Sequence, residues 1–202
     1  MIISIGIDCG IADFCNRRGL RFTSLPFDWT VVYNGVSTCI ANEFAGFLDD
    51  ITPTNRVNKY DIYFHHHFAT EDVFKEDAAK YERRIQRFMD ILKNPDEFVV
   101  FCRRGHASHH HLEHNGKYQT MKDEIQDAEE LDAILRKKYP QLKYKIVVML
   151  VCGNCYNCNK SYKSNNERVE IYNIASPYAD DPVFEQLAIN LFLTPAPTTC
   201  GR

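Results

Sequence analysis

The chain has 202 residues, which is enough for one α/β domain with a full core and short for two. Its net charge of -3 and pI near 6.2 give no basic surface of the kind that binds nucleic acid or anionic membranes, so neither is expected as a partner. No apolar run is long enough for a transmembrane helix, and the first residues lack the basic segment and cleavage site of a signal peptide. We therefore expect a protein of the cytoplasm, either that of its own cell or that of a host. Its eight cysteines are then expected to stay reduced.

The first segment predicts a buried strand, a tight turn and a helix. An apolar run from Ile2 ends in Asp8 and Cys9 and leads directly into Gly10 and helix-compatible sequence. At a helix N-terminus the backbone N–H groups and the helix dipole favour an anion, which would lower the pKa of the Cys9 thiol and make it a nucleophile. The alternative is that Cys9 is a small buried hydrophobic residue.

The rest of the chain alternates between helices and strands. Apolar periodicity predicts helices over 36–48, 75–92, 122–138 and 183–193, and strands over 60–64, 97–102, 146–151 and 168–174. The segments 24–29, 107–117 and 156–166 read as loops. Three arginines of the helix predicted over 75–92 are interpreted as a solvated face: Arg83, Arg84 and Arg87. We expect a single α/β domain over 1–194 and a flexible tail over 195–202.

This alternation predicts the fold class and the place of the site. The fold expected is α/β with three layers, a mostly parallel sheet of about five strands with helices on both faces. In such sheets ligands bind beyond the carboxyl ends of the strands. The groups that follow the strands are Asp8, Cys9, His65 to His67, Arg103, Arg104, His106 and Cys152. A thiol, an imidazole, a carboxylate and a guanidinium in one crevice would make a catalytic site.

All eight histidines fall in two clusters, 65–67 and 106–114. Neighbouring side chains of a strand point to opposite faces, so His66 alone, or His65 with His67, can face the thiol. One of them could act as general base, oriented by Asp28 or Asp8. The alternative is a set of ordinary solvated imidazoles. For the second cluster, a surface loop with incidental metal affinity is favoured over a metal site.

A C-x-x-C-x-x-C run is formed by Cys152, Cys155 and Cys158. The spacing suits zinc, but a structural zinc site needs a fourth ligand, usually from a second close pair, and no such pair exists in the sequence. We therefore expect no metal and no cofactor. A non-catalytic domain that holds a metal through its His and Cys clusters remains an alternative.

Several segments resemble a family described as papain-like cysteine peptidases. They lie at 4–12, 19–21, 24–29, 44–48, 60–68 and 80–88, and the most specific is Pro26-Phe27-Asp28-Trp29 with its spacing from Cys9. By position, the resemblance implies Cys9 as the nucleophile, His66 as the base and Asp28 as the acid. In layout alone, the order of elements is similar to GDSL-type hydrolases and to the nucleotide-binding lobe of a glycosyltransferase.

Two enzyme classes follow from these patterns. The leading hypothesis is a thiol-dependent hydrolase or acyl-transfer enzyme in which Cys9 attacks a carbonyl and His66 moves the proton. The alternative is a nucleotide-sugar transferase in which Arg103, Arg104 and the helix after Gly10 hold a nucleoside diphosphate. The residues expected to bind substrate are Asp8, Gly10, Arg21, Trp29, Arg103, Arg104 and His106. Asp28 is expected to be buried and paired with Arg21 or Arg103, because a buried carboxylate needs a partner.

Overall fold

The structure is a computed structural model that describes residues 1–32, 35–106, 111–114, 117–120, 124–151 and 164–174. Its strands are β1 (Ile2–Ser4), β2 (Val31–Val32), β3 (Ile62–Tyr63), β4 (Phe98–His106), β5 (His111–His114), β6 (Lys117–Thr120), β7 (Lys143–Val151) and β8 (Val169–Ile174). Its helices are α1 (Gly10–Arg17), α2 (Val36–Ala41), α3 (Glu71–Lys93) and α4 (Glu124–Lys138). The helix predicted over 183–193 lies outside the described residues.

Four parallel strands form the main sheet, in the order β1-β4-β7-β8. Ile2 pairs with Val100 on β4, and Phe98 at the start of β4 pairs with Lys143 on β7. Strand β7 is rich in Val, Ile, Leu and Met, and the first half of β4 is apolar, as expected for strands covered on both faces. The predicted α/β class with a mostly parallel sheet is confirmed, with four strands in the main sheet where about five were expected.

Helices cover both faces of this sheet, which gives three layers. Side chains alternate along a strand, so Phe101 of β4 faces the larger core and Cys102 faces the smaller one. Helix α1 packs on the smaller core through Ile11, Phe14 and Cys15. Buried residues of α2, α3 and α4 pack on the larger core, among them Val36, Cys39, Ile40, Tyr81, Phe88, Met89, Leu92, Leu131 and Leu135.

The strand predicted over 60–64 does not join the main sheet. Within this range the structure has the two-residue strand β3, which pairs antiparallel with β2 so that Val31 lies opposite Tyr63. This separate two-stranded sheet is joined to the end of β1 by the Val32 N–H, which donates to the Ile7 carbonyl at 2.9 Å. His65 to His67 therefore follow a strand of the small sheet and not a strand of the parallel one.

Two helices differ in length from the prediction. Helix α2 ends at Ala41, and the next residues form turns in which Glu43 and Phe44 have φ of 52° and 61°. Phe44 and Phe47 reach the core from these turns, which is why their spacing imitates a helix. Helix α3 begins at Glu71, one turn before the predicted start.

Strand β4 is longer than predicted and continues to His106. Arg103, Arg104 and His106 consequently lie within a strand and not after one. Part of the segment 107–117, predicted as a loop, forms a hairpin in which β5 and β6 pair antiparallel. In the part of the chain that the structure describes, none of the helices is both long and apolar enough to cross a membrane.

Candidate active site

Cys9 lies at the carboxyl end of β1 and is the N-cap residue of α1. Pairing with β4 continues past the strand, because the Ile7 N–H donates to the Arg104 carbonyl at 2.9 Å. The chain then turns and α1 begins, with the Asp13 N–H donating to the Cys9 carbonyl at 2.8 Å. The Cys9 thiol is half-buried, whereas Cys15, Cys39 and Cys102 are buried. Among the described thiols, Cys9 is the one that a reagent can approach.

The acidity of this thiol differs from the prediction. Partial burial raises the pKa of Cys9, the neighbouring Asp8 carboxylate raises it further, and the backbone N–H and Arg104 oppose them. The helix N-terminus is present as predicted, but the thiol is not activated by it in the free protein. A base is therefore needed to remove the proton.

Asp8 connects Cys9 to β4. Its Oδ1 accepts a hydrogen bond from the Gly10 N–H at 2.8 Å, and its Oδ2 accepts one from Arg104 Nη2. An acid that caps the first turn of a helix is stabilised by the helix dipole. These two contacts join the turn that carries Cys9 to the sheet, and they bring Asp8, Gly10, Arg104 and Cys9 together.

Arg103 is not part of this group. Alternation along β4 sends it to the opposite face from Arg104, where it is 2% exposed and bonds the Glu124 carboxylate and the Ile5 carbonyl. Arg103 is thus a buried link between β4 and α4. Because the two arginines lie on opposite faces, they do not form the joint diphosphate site that the transferase hypothesis requires.

Asp28 is 4% exposed and is paired with Arg21, as predicted. Arg21 Nη2 and Nε donate to Asp28 Oδ2 at 2.9 and 3.2 Å, and the Leu25 N–H donates to the same oxygen at 2.8 Å. Burial raises the pKa of the Asp28 carboxyl, against the opposing effects of Leu25 and Arg21. The other side of Arg21 lies over the Trp29 ring, 5.2 Å from its centroid. Asp28 and Arg21, with Ser4 and Cys15, also line a small cavity beside β1.

His66 is exposed and meets Trp29 edge-on, with ring centroids 6.1 Å apart. Partial burial lowers the pKa of His66, and the neighbouring His65 lowers it further. In the described ranges, no hydrogen bond or ring contact joins His66 to Cys9 or to Asp28. The structure therefore links Asp28, Arg21, Trp29 and His66 in one series of contacts, and it leaves Cys9 in a second group with Asp8 and Arg104.

A third group was missed by the sequence analysis. The Tyr81 hydroxyl lies 3.2 Å from His67 Nδ1, and the Arg84 guanidinium stacks on the Tyr81 ring at 4.8 Å. Burial and the Arg84 charge lower the pKa of His67 to about 4. The expectation that Arg84 is solvated is wrong, since Arg84 is 8% exposed, while Arg83 and Arg87 are exposed as expected. Helical spacing contained the signal, because Arg84 is three residues after Tyr81 and four before Phe88.

The described residues say nothing about some of the predicted groups. Cys152, Cys155 and Cys158 lie outside them, and so does the side chain of His106, the last residue of β4. Within the described ranges, no three His, Cys, Asp or Glu side chains come together in a metal-binding arrangement.

Comparisons with known proteins give one family and one relative. Residues 1–57 and 51–154 match the model of a family described as "Putative papain-like cysteine peptidase" (DUF1796). The chain is similar to "Uncharacterized protein R408" of Acanthamoeba polyphaga mimivirus, with 30% identity over 132 residues that cover 49% of this chain and 59% of that protein. The chain thus spans less than two thirds of the length of this curated relative. No solved structure matches the chain.

Proposed function

Because the match covers residues 1–154, the chain belongs to the family described as "Putative papain-like cysteine peptidase", and from this premise we propose that it is a thiol-dependent hydrolase or acyl-transfer enzyme with Cys9 as its nucleophile. The observation that carries the proposal is the position of Cys9. It is half-buried at the N-terminus of α1, whereas Cys15, Cys39 and Cys102 are buried. Partial exposure and a neighbouring helix N-terminus are common features of nucleophilic thiols, and removal of the Cys9 proton is left to a base.

The backbone of α1 supplies the second part of the chemistry. The first N–H groups of a helix have no partner within the helix. In the described part of the chain, Gly10 donates to Asp8, while the N–H groups of Ile11 and Ala12 find no acceptor. In our proposal they stabilise the oxyanion that forms when Cys9 Sγ bonds to a substrate carbonyl carbon.

His66 is the proposed base. A lowered pKa keeps its imidazole neutral near pH 7, so it can accept the thiol proton and return it to the leaving group. The bond between the carbonyl carbon and the leaving group then breaks, which leaves an acyl group on Cys9 that water or another acceptor removes. Because catalytic hydrogen bonds are often long before substrate binds, the separation of His66 and Cys9 in the free protein is compatible with this role.

Asp28 has a different proposed role from the one its sequence position implies. Its carboxylate is used by Arg21 and Leu25, so it does not orient the imidazole directly. We propose that Asp28 holds Arg21 in place over the Trp29 ring, and that the Trp29 ring in turn positions the His66 imidazole, which meets it edge-on. Asp28 is then a positioning residue for His66.

Alkylation of the full-length protein with limiting iodoacetamide at pH 7.5, followed by peptide mapping, tests the nucleophile. We expect Cys9 to be modified before the other thiols. With an activated ester in place of iodoacetamide, we expect His66→Ala to slow the acylation of Cys9, because the ester occupies the site in which His66 is proposed to approach the thiol. His65→Ala is the matched control, because His65 is an exposed neighbour of His66. We expect a much smaller change in rate, since this variant removes only the lowering effect of His65 on the pKa of His66. Faster labelling of Cys155 or Cys158, or equal rates in the two histidine variants, would contradict the proposal.

A further inference from the structure

Arg84 is a buried cation whose charge the described residues do not neutralise. Its side chain is 8% exposed and lies against the Tyr81 ring. Its Nη1 atom has no hydrogen-bond acceptor in the described part of the chain, and no ion pair joins Arg84 to an acid there. A buried charged donor without an acceptor costs free energy, and nearly all buried polar groups in native proteins are bonded. The guanidinium is therefore placed to meet an acceptor from outside this cluster.

The neighbouring acids are already in use. Asp28, whose pKa is affected by the Arg84 charge, is bound by Arg21 through two hydrogen bonds. Asp77, on the same helix as Arg84, accepts from the Phe68 N–H at 2.8 Å and from Lys80 at 3.3 Å. Asp28 and Asp77 are thus bound by Arg21 and Lys80, and neither acid forms an ion pair with Arg84 in the described part of the chain.

We propose that Arg84 is the donor of a binding site for an oxyanion, the phosphate or carboxylate group of a ligand, with Arg21 adding positive charge beside it. A guanidinium presents its N–H groups as a flat fork that matches two oxygens of either group. The Nη1 atom itself is covered by the surrounding side chains, so an anion reaches it only when one of these side chains moves aside. The site shares Arg21 with the contacts that lead to His66, but Cys9 is not part of it, so it would bind the anion whether or not Cys9 is a nucleophile.

Thermal unfolding of the full-length protein in sodium phosphate, sodium acetate and sodium chloride of equal ionic strength at pH 7 tests the site. A ligand that binds only the folded protein raises Tm with the logarithm of its concentration. We expect phosphate or acetate to raise Tm above its value in chloride. A response to phosphate alone would identify a phosphate site, and a response to acetate would identify a carboxylate site. Equal Tm values in all three salts would overturn the proposal.

Variants assign the response to Arg84. Arg84→Met removes the charge and keeps the length, so we expect anion affinity to fall at least about tenfold. Arg83→Met is the matched control, since Arg83 is its exposed neighbour, and it should respond like the wild type. If Arg84→Met does not fold, Arg84→Lys, which keeps the charge but loses the fork, should also bind more weakly. Wild-type affinity in a folded Arg84 variant would overturn the proposal.

The closing control separates this inference from the proposed enzyme. Cys9→Ser should keep the full response to phosphate or acetate, because Cys9 belongs to the group formed with Asp8 and Arg104. Loss of the response in Cys9→Ser would contradict the separation of the two sites. If Cys9 proves unreactive while phosphate or acetate still raises Tm, the proposal of thiol chemistry fails and the proposal of an anion site stands.

Discussion

At the scale of single residues, Cys9 shows that a helix N-terminus alone does not make a thiol acidic. Its pKa depends on the balance between burial and Asp8, which raise it, and the backbone N–H and Arg104, which lower it. Since Asp8 also caps α1 and binds Arg104, the residue that holds the turn in place is one that keeps the thiol protonated. Any change in the Asp8–Arg104 pair therefore changes the reactivity of Cys9.

Replacing the Asp8 carboxylate by an amide should make Cys9 more reactive. Asp8→Asn removes a negative charge that disfavours the thiolate, so the pKa of Cys9 falls and its alkylation curve moves to lower pH. A less basic thiolate is a weaker nucleophile, so we expect a gain of about threefold in the alkylation rate at pH 7.5. The rate is measured with iodoacetamide from pH 6.5 to 10 by peptide mapping.

Asp13→Asn is the control for this prediction. Asp13 also raises the pKa of Cys9, but it contributes less than Asp8. We expect a smaller acceleration in this variant. A larger effect of Asp13→Asn than of Asp8→Asn would show that the Asp8 charge does not govern the thiol.

At the scale of elements, the start of α2 depends on a close contact with the loop before β3. Gly35 is the N-cap residue of α2 and has φ of 89°. A Cβ atom added there would overlap the carbonyl oxygen of Tyr60. Helix α2 and the small sheet can approach each other this closely because residue 35 has no side chain.

Alanine at position 35 should therefore destabilise the protein far more than alanine at another left-handed glycine. Gly19, which follows α1, has φ of 66° but no atom within 4 Å of an added Cβ. Both substitutions strain the backbone, so we expect a loss of about 1–2 kcal/mol for Gly19→Ala. For Gly35→Ala we expect about 3–5 kcal/mol, because the overlap adds to the strain. Urea unfolding of both variants measures the difference, and equal losses would show that the contact with Tyr60 relaxes freely.

At the scale of the whole molecule, aromatic rings join segments that are far apart in the chain. Phe88 of α3 lies 5.6 Å from Phe27, 5.3 Å from Phe44 and 6.4 Å from Phe101, measured between ring centroids. The Pro26-to-Trp29 loop, the turns after α2, helix α3 and strand β4 therefore share one packed cluster. The same cluster holds the loop that carries Asp28.

Truncation of Phe88 should weaken the entire fold. Its side chain is fully buried, so Phe88→Ala loses both burial and packing, and we expect the free energy of unfolding to fall by about 3–5 kcal/mol. Phe98→Ala is the control, because Phe98 is 44% exposed at the start of β4, and its loss should stay below about 1 kcal/mol. Urea midpoints compare the two variants, and losses of similar size would place the main core elsewhere.

The sequence predicts the long elements well and the short ones poorly. Strands β4, β7 and β8 and helix α3 contain enough apolar positions for their period to be recognised. Strands β2 and β3 have two residues each, too few to show a period or a pairing direction. For this reason the sequence pattern places β3 in the parallel sheet and His66 beside Cys9.

The candidate site could be predicted only in part. The pairing of Asp28 with Arg21 followed from the cost of burying a carboxylate, and the structure confirms it. Arg103 and Arg104 can be assigned to opposite faces only when β4 is known to continue to His106. The polar residues in the second half of β4 conceal this continuation. The burial of Arg84 depended on which face of α3 meets the loop before β2, and that is decided by tertiary packing.

The order of strands in the main sheet also bears on how the chain folds. β1 is the first strand in sequence, but its partner β4 begins about a hundred residues later, and Ile2 pairs with Val100. Contacts between segments so distant require the closure of a long loop, which slows folding. During synthesis, the segment that carries Cys9 emerges from the ribosome well before β4 exists to pair with it. The Cys9 turn can therefore reach its native position only after β4 has been made.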